Sequence, residues 1–181
     1  MTLVRALIDT PVGVMRALAS ETALFAFEFS RDNRMARLDA RLSRWLAGAT
    51  ILDGSNAVID LARDWATRYF AGERADSLAL PLDMRGAPFE QQVWAELRRI
   101  PPGTTTTYGA VARAIGHPAA SRAVGMANGA NPIAIIVPCH RVIGANGTLT
   151  GYGGGLERKT WLLDHERKYW GTADGSRLPF G

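Results

Sequence analysis

The sequence contains a single cysteine, Cys139, among its 181 residues. One thiol excludes an intrachain disulfide and any zinc site built from several thiolates. The sequence also lacks a basic segment followed by an apolar core at its start, which argues against a secretion signal. Its longest apolar runs, such as Ile133–Val137, are too short to span a bilayer. These absences predict a cytoplasmic protein in a reducing compartment, with no membrane partner.

Acidic residues are missing from a long central stretch. Between Leu97 and Leu156 the sequence has no Asp, Glu or Lys, but it has five arginines, Arg98, Arg99, Arg113, Arg122 and Arg141. Residues 88–181 carry the whole net charge of +4, whereas residues 1–87 are neutral. Because acidic side chains would repel phosphate, this stretch indicates a polyanionic partner. A general preference for arginine over lysine would explain the arginines but not the missing acids.

The composition, 47% hydrophobic and 21% charged, is typical of a globular protein. Three β-rich runs separated by turn signals come first, at Leu3–Asp9, Gly13–Ala19 and Ala23–Phe29. Apolar residues at helical spacing then predict one helix over Met35–Leu46 and a second over Val58–Phe70. The first part of the chain is therefore predicted to be an α/β domain in which strands precede helices.

We expect two small domains. Proline and glycine mark a linker over residues 81–87, which follows an N-terminal α/β domain over residues 1–80. The C-terminal domain, residues 88–170, is predicted to be mostly helical. Residues 171–181 are predicted to form a flexible tail.

The C-terminal domain contains a predicted helix-turn-helix. Thr107 can cap a short helix over Tyr108–Ile115, and a second short helix over Ala119–Asn128 follows a Gly-His-Pro turn. Small residues cover most sides of the second helix, with Arg122 as its one large polar side chain. Such a helix can approach DNA closely or pack tightly inside its own domain. The arginine and the missing acids favour DNA.

The segment around Cys139 carries the residues that can perform chemistry. The apolar run Ile133–Val137 is predicted to be extended, because a proline disfavours helical conformation in the residue before it. An Asn-Gly hairpin signal follows the cysteine. The last predicted helix, Leu156–Lys168, carries Glu166 on the same face as two leucines, so this carboxylate is expected to point toward the core.

Cys139 can act as a nucleophile if a base removes its proton and a carboxylate orients that base. His140 adjoins it, and Glu166 could complete the relay. Neighbouring side chains on an extended chain point to opposite sides, so a bridging water or a sharp turn is required. As an alternative, Glu166 could pair with Lys159 or Arg141 and serve only the fold.

The sequence PCHRV, with an Asn-Pro pair eight residues before the cysteine, resembles the signature of the O6-alkylguanine-DNA alkyltransferases, also called methylated-DNA–protein-cysteine methyltransferases. The motif comes in register with Tyr108, with Arg122 in RAVG, with Tyr152 before a glycine-rich loop, and with LLDHE at the last helix end. The resemblance covers residues 88–168. The N-terminal part is similar only in length, in element order and in its TPVG turn.

The resemblance implies a ribonuclease-H-like N-terminal roll and a C-terminal helix-turn-helix that enters the minor groove. It implies a DNA-repair enzyme that flips O6-alkylguanine, and also O4-alkylthymine, out of duplex DNA. The alkyl group would pass irreversibly to Cys139, so each molecule would act once. The implied partner is alkylated double-stranded DNA, and the implied state is a monomer. No cofactor is implied, and the zinc of some relatives should be absent because the only thiol is already assigned.

The resemblance also assigns roles to individual residues. The implied catalytic residues are Cys139, His140, Glu166, Asn131 and Tyr108. The implied DNA-binding residues are Tyr108, Gly109, His117, Arg122 and Ala123. The base pocket would be lined by Val137, Pro138, Tyr152 and Gly153. Some relatives have a hydroxyl side chain near the guanine oxygen where this sequence has a glycine, so that contact must be lost or replaced.

Two other classes of function compete with DNA repair. A helix-turn-helix regulator could use Cys139 as a sensor of oxidants or alkylating agents, and it would need no base pocket. A cysteine hydrolase could use Cys139 and His140, but it would need an oxyanion hole and repeated turnover. Outside the proposed site, Arg98 and Arg99 are expected at a solvated helix end, where basic side chains oppose the helix dipole.

Overall fold

The computed structural model describes residues 1–30 and 32–171, so the predicted tail lies, apart from Gly171, outside the described residues. The chain forms two compact units. The first contains residues 1–85 and 132–136, and the second contains residues 86–131 and the chain from Val137 onward. Residues 132–136 fall within the C-terminal domain predicted from the sequence, residues 88–170. Within the described ranges, no helix combines the length and apolarity needed to cross a membrane.

The first unit contains a four-stranded sheet. Its strands are β1 (Thr2–Ile8), β2 (Met15–Ala19), β3 (Leu24–Phe29) and β4 (Thr50–Asp53), in the order β3-β2-β1-β4. The pairs β1–β2 and β2–β3 are antiparallel, and β1–β4 is parallel. The first three strands confirm the predicted β-rich runs. β4 was not predicted because it is an edge strand of four exposed residues without alternating burial.

This unit also contains two α-helices, α1 (Asp32–Trp45) and α2 (Ala57–Phe70), and a short 3-10 helix over Ser77–Ala79. Asn56 begins α2, because its side-chain oxygen accepts the Ile59 N–H at 3.0 Å. The leucines that predicted α1 pack against the sheet in one buried cluster, which contains Leu3, Leu18, Phe25, Ala26, Leu38, Leu42 and Leu46. Burial of this apolar face explains why the helical periodicity of the sequence was informative.

The run Ile133–Val137, predicted to be extended, begins with a parallel bridge between Ile133 and Phe27 but is interrupted by a turn at Ile135. Phe27 of β3 bonds it on both sides, donating to Pro132 O at 3.0 Å and accepting from Ala134 N at 2.7 Å. The Ile136 N–H then donates to Ala134 O at 2.8 Å, which closes a three-residue turn. This turn places Ile135 at φ 69°, a left-handed conformation that is strained for a β-branched residue.

The second unit is mostly helical. Its helices are α3 (Pro88–Leu97), α4 (Tyr108–Ala114), α5 (Ser121–Gly129) and α6 (Leu156–Trp170). Its two short strands, β5 (Thr106–Thr107) and β6 (Val142–Ile143), pair in parallel. β6 therefore pairs with β5. The hairpin signal had instead predicted a partner strand beyond the Asn-Gly turn.

The helices α4 and α5 form the predicted helix-turn-helix. Thr107 Oγ1 accepts the Ala110 N–H at 3.2 Å and caps α4 at the predicted position. α5 begins two residues later than predicted, because the Ala120 N–H closes a turn onto His117 O at 2.9 Å. Gly125 of α5 faces the ring of Tyr108, since a Cβ atom added to it would lie in ordinary contact, 3.8 Å from that ring.

Candidate active site

Two consecutive turns place Cys139. Pro138 adopts φ −82° and ψ 62°, and the Cys139 N–H donates to Val137 O at 2.8 Å across it. A single 3-10 turn over Cys139–Arg141 follows. Cys139 is only 2% exposed. A sharp turn or a bridging water is needed to bring the cysteine and the next histidine to one side, and the chain does turn at this position.

His140 and Glu166 form a fully buried pair. His140 Nε2 and Glu166 Oε1 are 2.7 Å apart, and neither side chain is exposed to solvent. Burial lowers the pKa of His140, although the charge and hydrogen bond of Glu166 oppose this shift. The imidazole is therefore neutral at neutral pH, with its proton on the nitrogen that faces the carboxylate.

The second ring nitrogen of His140 is the basic atom. Nδ1 is buried and has no hydrogen-bond partner among the described residues. Because Nε2 carries the proton toward Glu166, Nδ1 keeps a lone pair. A buried acceptor of this kind is costly unless it is used, which makes Nδ1 the atom able to receive a thiol proton.

Arg141 also binds Glu166. Its Nε donates to Oε2 at 2.9 Å and its Nη2 to Oε1 at 2.8 Å, while its Nη1 donates to Ile100 O at 2.6 Å. The Gly103 N–H adds a bond to Oε2 at 3.1 Å. Burial acts to raise the pKa of Glu166, but the charges and hydrogen bonds of His140 and Arg141 outweigh it and hold the pKa far below its usual range. Glu166 is therefore an anion.

Glu166 makes contacts of both predicted kinds, one to His140 and one to a buried cation. The carboxylate pairs with both His140 and Arg141 and not with Lys159. Arg141 is 6% exposed and bonded through all three guanidinium nitrogens, so it is an internal residue. Counting it among the arginines that indicate a polyanionic partner was wrong. It serves instead to fix the carboxylate that orients His140.

Lys159 is a functional candidate that the sequence analysis considered only as a partner of Glu166. Its side chain is completely buried, and Nζ donates to Val142 O at 2.6 Å and to Thr150 O at 3.2 Å. Burial lowers its pKa to about 8, against the opposing charge of Cys139. Its spacing from Leu162, Leu163 and Glu166 on α6 could have identified it, because all four lie on one helical face.

Tyr108 shares an acceptor with this lysine. Its hydroxyl donates to Thr150 O at 3.2 Å. Burial raises the pKa of Tyr108, and the negative charge of Cys139 acts in the same direction. The half-buried phenol thus remains a proton donor at neutral pH. Tyr152 is 9% exposed and packs edge-on toward His140, with ring centroids 6.5 Å apart, whereas Gly153 is exposed.

Two asparagines contact the turn of Cys139. Asn131 donates from Nδ2 to Val137 O at 2.9 Å. Asn128 donates from Nδ2 to Cys139 O at 3.2 Å and was missed by the sequence analysis. Both side chains are buried. Nothing in the local sequence identifies Asn128, because its partner is eleven residues away and is reached only after the chain folds back.

The other predicted DNA-binding residues lie on α4, α5 and the turn between them. Arg122, Ala123 and His117 are exposed, and Gly109 is partly buried. Arg122 makes no hydrogen bond or ion pair within residues 1–30 and 32–171. The structure therefore separates an exposed surface on α4 and α5 from the buried cluster around Cys139. Tyr108 belongs to both, as the first residue of α4 and a neighbour of Thr150.

Metal binding has no support in the described part of the chain. No group of three or more His, Cys, Asp or Glu side chains there is arranged to hold an ion. The titratable groups near Cys139 instead satisfy one another or bind backbone carbonyls. The arrangement combines a buried thiol, a neutral imidazole with a free lone pair, and a buried cation. Chemically, it is suited to forming a thiolate in a dry site.

Part of the chain matches known proteins in sequence. Residues 88–168 match the family described as 6-O-methylguanine DNA methyltransferase, DNA binding domain. Two curated proteins named methylated-DNA–protein-cysteine methyltransferase resemble this chain. The protein of Mycolicibacterium paratuberculosis is 59% identical to it over 101 residues, and the protein of Shigella flexneri is 55% identical over 103 residues. These alignments cover 56% and 57% of this chain. They span 61% and 60% of those proteins, or about three fifths of their length.

Solved structures match most of the chain. Mycobacterium tuberculosis O6-methylguanine methyltransferase is 42% identical, with a TM-score of 0.78 over 95% of this chain and 96% of that one. Mycobacterium tuberculosis OGT in complex with DNA is 43% identical, with a TM-score of 0.78 over 94% and 96%. The O6-methylguanine-DNA methyltransferase of Pyrococcus kodakaraensis is 25% identical, with a TM-score of 0.69 over 91% and 98%. These matches confirm the predicted α/β fold class and the resemblance. The chain belongs to the family of O6-methylguanine-DNA methyltransferases.

Proposed function

We propose that this protein repairs alkylated DNA by transferring the alkyl group from guanine O6 to Cys139. The observation that carries the proposal is the buried base beside the only thiol: a neutral His140, oriented by Glu166, with Nδ1 unbonded among the described residues. A thiol sensor ordinarily has a solvent-accessible cysteine, whereas Cys139 is buried. The names of the relatives and the 42% identity to a methyltransferase of the same size support the same reaction.

The transfer is a single displacement. The Cys139 thiol gives its proton, through water, to His140 Nδ1, and Glu166 stabilises the imidazolium that forms. The thiolate attacks the alkyl carbon, a carbon–sulfur bond forms and the bond between carbon and O6 breaks. The electron pair of the broken bond remains on the guanine, and the proton held by His140 returns through water to neutralise it. The Tyr108 hydroxyl is a donor suited to offset this developing charge.

The substrate is proposed to be a base rotated out of duplex DNA. Cys139 is too deeply buried to reach a stacked base, so the base must come to the thiol. Arg122, exposed and unpaired on α5, is suited to fill the gap in the duplex, with Gly109, His117 and Ala123 along the backbone. Val137, Pro138, Tyr152 and Gly153 are proposed to line the base pocket. The relative in complex with DNA supports DNA as the partner.

We further propose that each molecule acts once. The product is a thioether, and neither His140 nor Lys159 offers a route to cleave a carbon–sulfur bond. O4-alkylthymine presents the same kind of alkyl carbon on a ring oxygen and is proposed as a second substrate. The protein is proposed to act as a cytoplasmic monomer, with residues 1–80 as an N-terminal domain and residues 88–170 as the domain that binds DNA.

The mass of the intact protein tests this function. After incubation with a duplex that contains one O6-methylguanine, we expect a gain of one methyl group on Cys139, which stops at one equivalent of DNA. Cys139→Ser should show no gain, and unmethylated duplex should leave the wild-type mass unchanged. A folded, reduced and DNA-bound wild-type protein that gains no mass would overturn the proposal and favour a thiol-sensing regulator.

A further inference from the structure

The turn that carries Cys139 is held by two carboxamides, one within α5 and one two residues beyond its end. Asn131 Nδ2 donates to Val137 O at 2.9 Å, and Asn128 Nδ2 donates to Cys139 O at 3.2 Å. The two bonds lie on either side of Pro138, the residue at which the chain turns. Asn128 is the only one of the pair that lies within α5 and binds the backbone of the nucleophile itself.

The C-terminal end of α5, which carries Asn128, is anchored by a hydrogen bond from α3. The fully buried Trp94 of α3 donates from Nε1 to Ala127 O at 2.8 Å. Ala127 precedes Asn128, so the backbone that carries the carboxamide is anchored to α3. At the opposite end of the same helix, Arg122 is exposed to solvent. A nine-residue helix therefore connects an exposed arginine to the carbonyl of the reactive cysteine.

We propose that Asn128 is a positioning residue that links the placement of α5 on DNA to the placement of the Cys139 backbone. The inference rests on the proposed function and deepens it. The Val142 N–H also donates to Cys139 O, so loss of the Asn128 bond leaves this carbonyl satisfied. The turn can still close, but nothing in α5 then fixes where the sulfur lies. In a displacement reaction, small errors in the position of the attacking atom slow the rate strongly.

The second polar atom of Asn128 separates this role from a purely structural one. Oδ1 is buried and has no hydrogen-bond partner among the described residues. An unpaired buried acceptor reduces stability, and an apolar residue of similar shape removes this penalty together with the donor. Asn128→Leu is therefore expected to keep or raise the melting temperature. A residue retained only for stability would give the opposite result.

Single-turnover kinetics test the proposal. Methyl transfer to Cys139 is followed at increasing concentrations of a duplex with one O6-methylguanine, which separates the limiting rate from the apparent affinity. For Asn128→Leu we expect the limiting rate to fall roughly tenfold or more, with affinity nearly unchanged and a melting temperature at or above that of the wild type. Val124→Ala is the matched control, because this buried residue of α5 lies outside the site. It should lower the melting temperature and preserve the limiting rate.

A wild-type limiting rate in Asn128→Leu would overturn the proposal, as would a rate loss that only accompanies a lower melting temperature. Amide hydrogen exchange of the free proteins gives a second arm that needs no DNA. Relative to α6, exchange across Cys139–Val142 should be faster in Asn128→Leu and unchanged in Val124→Ala. If the wild type transfers no methyl group, the proposed function fails. Amide hydrogen exchange then tests the positioning role by itself. Equal exchange across Cys139–Val142 in Asn128→Leu and in the wild type would overturn the role of Asn128.

Discussion

The buried cluster around Cys139 and the exposed surface of α4 and α5 lie in one unit but differ in how their polar groups are satisfied. In the cluster, His140, Glu166 and Lys159 have no solvent exposure, and their side chains bond within the protein at every polar atom except the basic nitrogen of His140. On the surface, Arg122 is exposed and has no protein partner among the described residues. The cluster is therefore complete before any substrate arrives, whereas the surface is completed only by a partner.

The difference predicts which measurement each region controls. Charges in the cluster act at low dielectric, where they change proton affinities and hence the rate of thiol chemistry. Charges on the surface act through water and salt, so they contribute to affinity in a salt-dependent manner. Substitutions in the cluster should change rates and pH profiles, and substitutions on the surface should change binding. A cluster substitution that changed only DNA binding, or a surface substitution that changed the rate or the pH profile, would contradict this division.

Glu166→Gln is expected to have the largest effect, because it removes the one anion of the cluster. Arg141 would remain buried with its charge uncompensated, at a cost of about 3–5 kcal/mol in the free energy of unfolding. The imidazolium of His140 would lose its stabilising partner, which should slow methyl transfer roughly hundredfold. Urea unfolding and single-turnover transfer measure the two effects. Glu157→Gln, exposed on the same helix, is the control and should change neither.

The same pair predicts how stability depends on pH. The folded pKa values of His140 and Glu166 both lie below their ordinary values of 6.5 and 4.5. The unfolded chain therefore binds more protons, and stability rises with pH. The contribution is complete above pH 6.5 and is lost as the pH falls through the lowered folded values. Urea unfolding from pH 7 to pH 4 should show the loss due to His140, which begins below pH 6.5, whereas the loss due to Glu166 begins only below pH 4.5. A flat profile in the wild type would contradict the buried, ionised pair.

Helical periodicity and cap residues made much of the fold predictable. The apolar faces of α1 and α2 and the caps at Asn56 and Thr107 depend on neighbours within one or two turns, so they can be read from the sequence. β4 could not be predicted, because its partner β1 lies about fifty residues away and its own side chains are exposed. The left-handed turn at Ile135 was hidden for a similar reason, since it depends on bonds to β3.

The candidate site divides in the same way. Cys139, His140 and Glu166 were identifiable from adjacency, helical spacing and motif. The bidentate bond from Arg141 and the contact from Asn128 to Cys139 O join elements that are separate in sequence. The sequence could not give their geometry. Whether a conspicuous arginine faces solvent or a buried carboxylate depends on tertiary structure, and composition gave the wrong answer for Arg141.

Lys159→Met should have an intermediate effect that is confined to the cluster. Below its pKa of about 8, Lys159 is a cation that favours the thiolate of Cys139. Its removal should raise the pKa of the thiol, so the pH–rate profile for reaction with iodoacetamide moves to higher pH and the rate below the midpoint falls about tenfold. Lys168→Met, at an exposed position on the same helix, should leave the profile in place. An unchanged midpoint in Lys159→Met would assign this lysine to the fold alone.

Arg122→Ala should have the smallest effect, and the effect should appear in binding. Removal of one exposed guanidinium should weaken affinity for duplex DNA about threefold to tenfold and reduce the slope of log affinity against log salt by about one. The iodoacetamide profile of Cys139 should not move, because Arg122 bonds to no residue of the cluster. The side chain of Arg99, at the end of α3, is 80% exposed. Arg99→Ala therefore tests whether loss of any exposed arginine weakens DNA binding equally. Equal losses in both variants would reduce the surface to a general positive charge, whereas a loss specific to Arg122 would make α5 the element that contacts DNA.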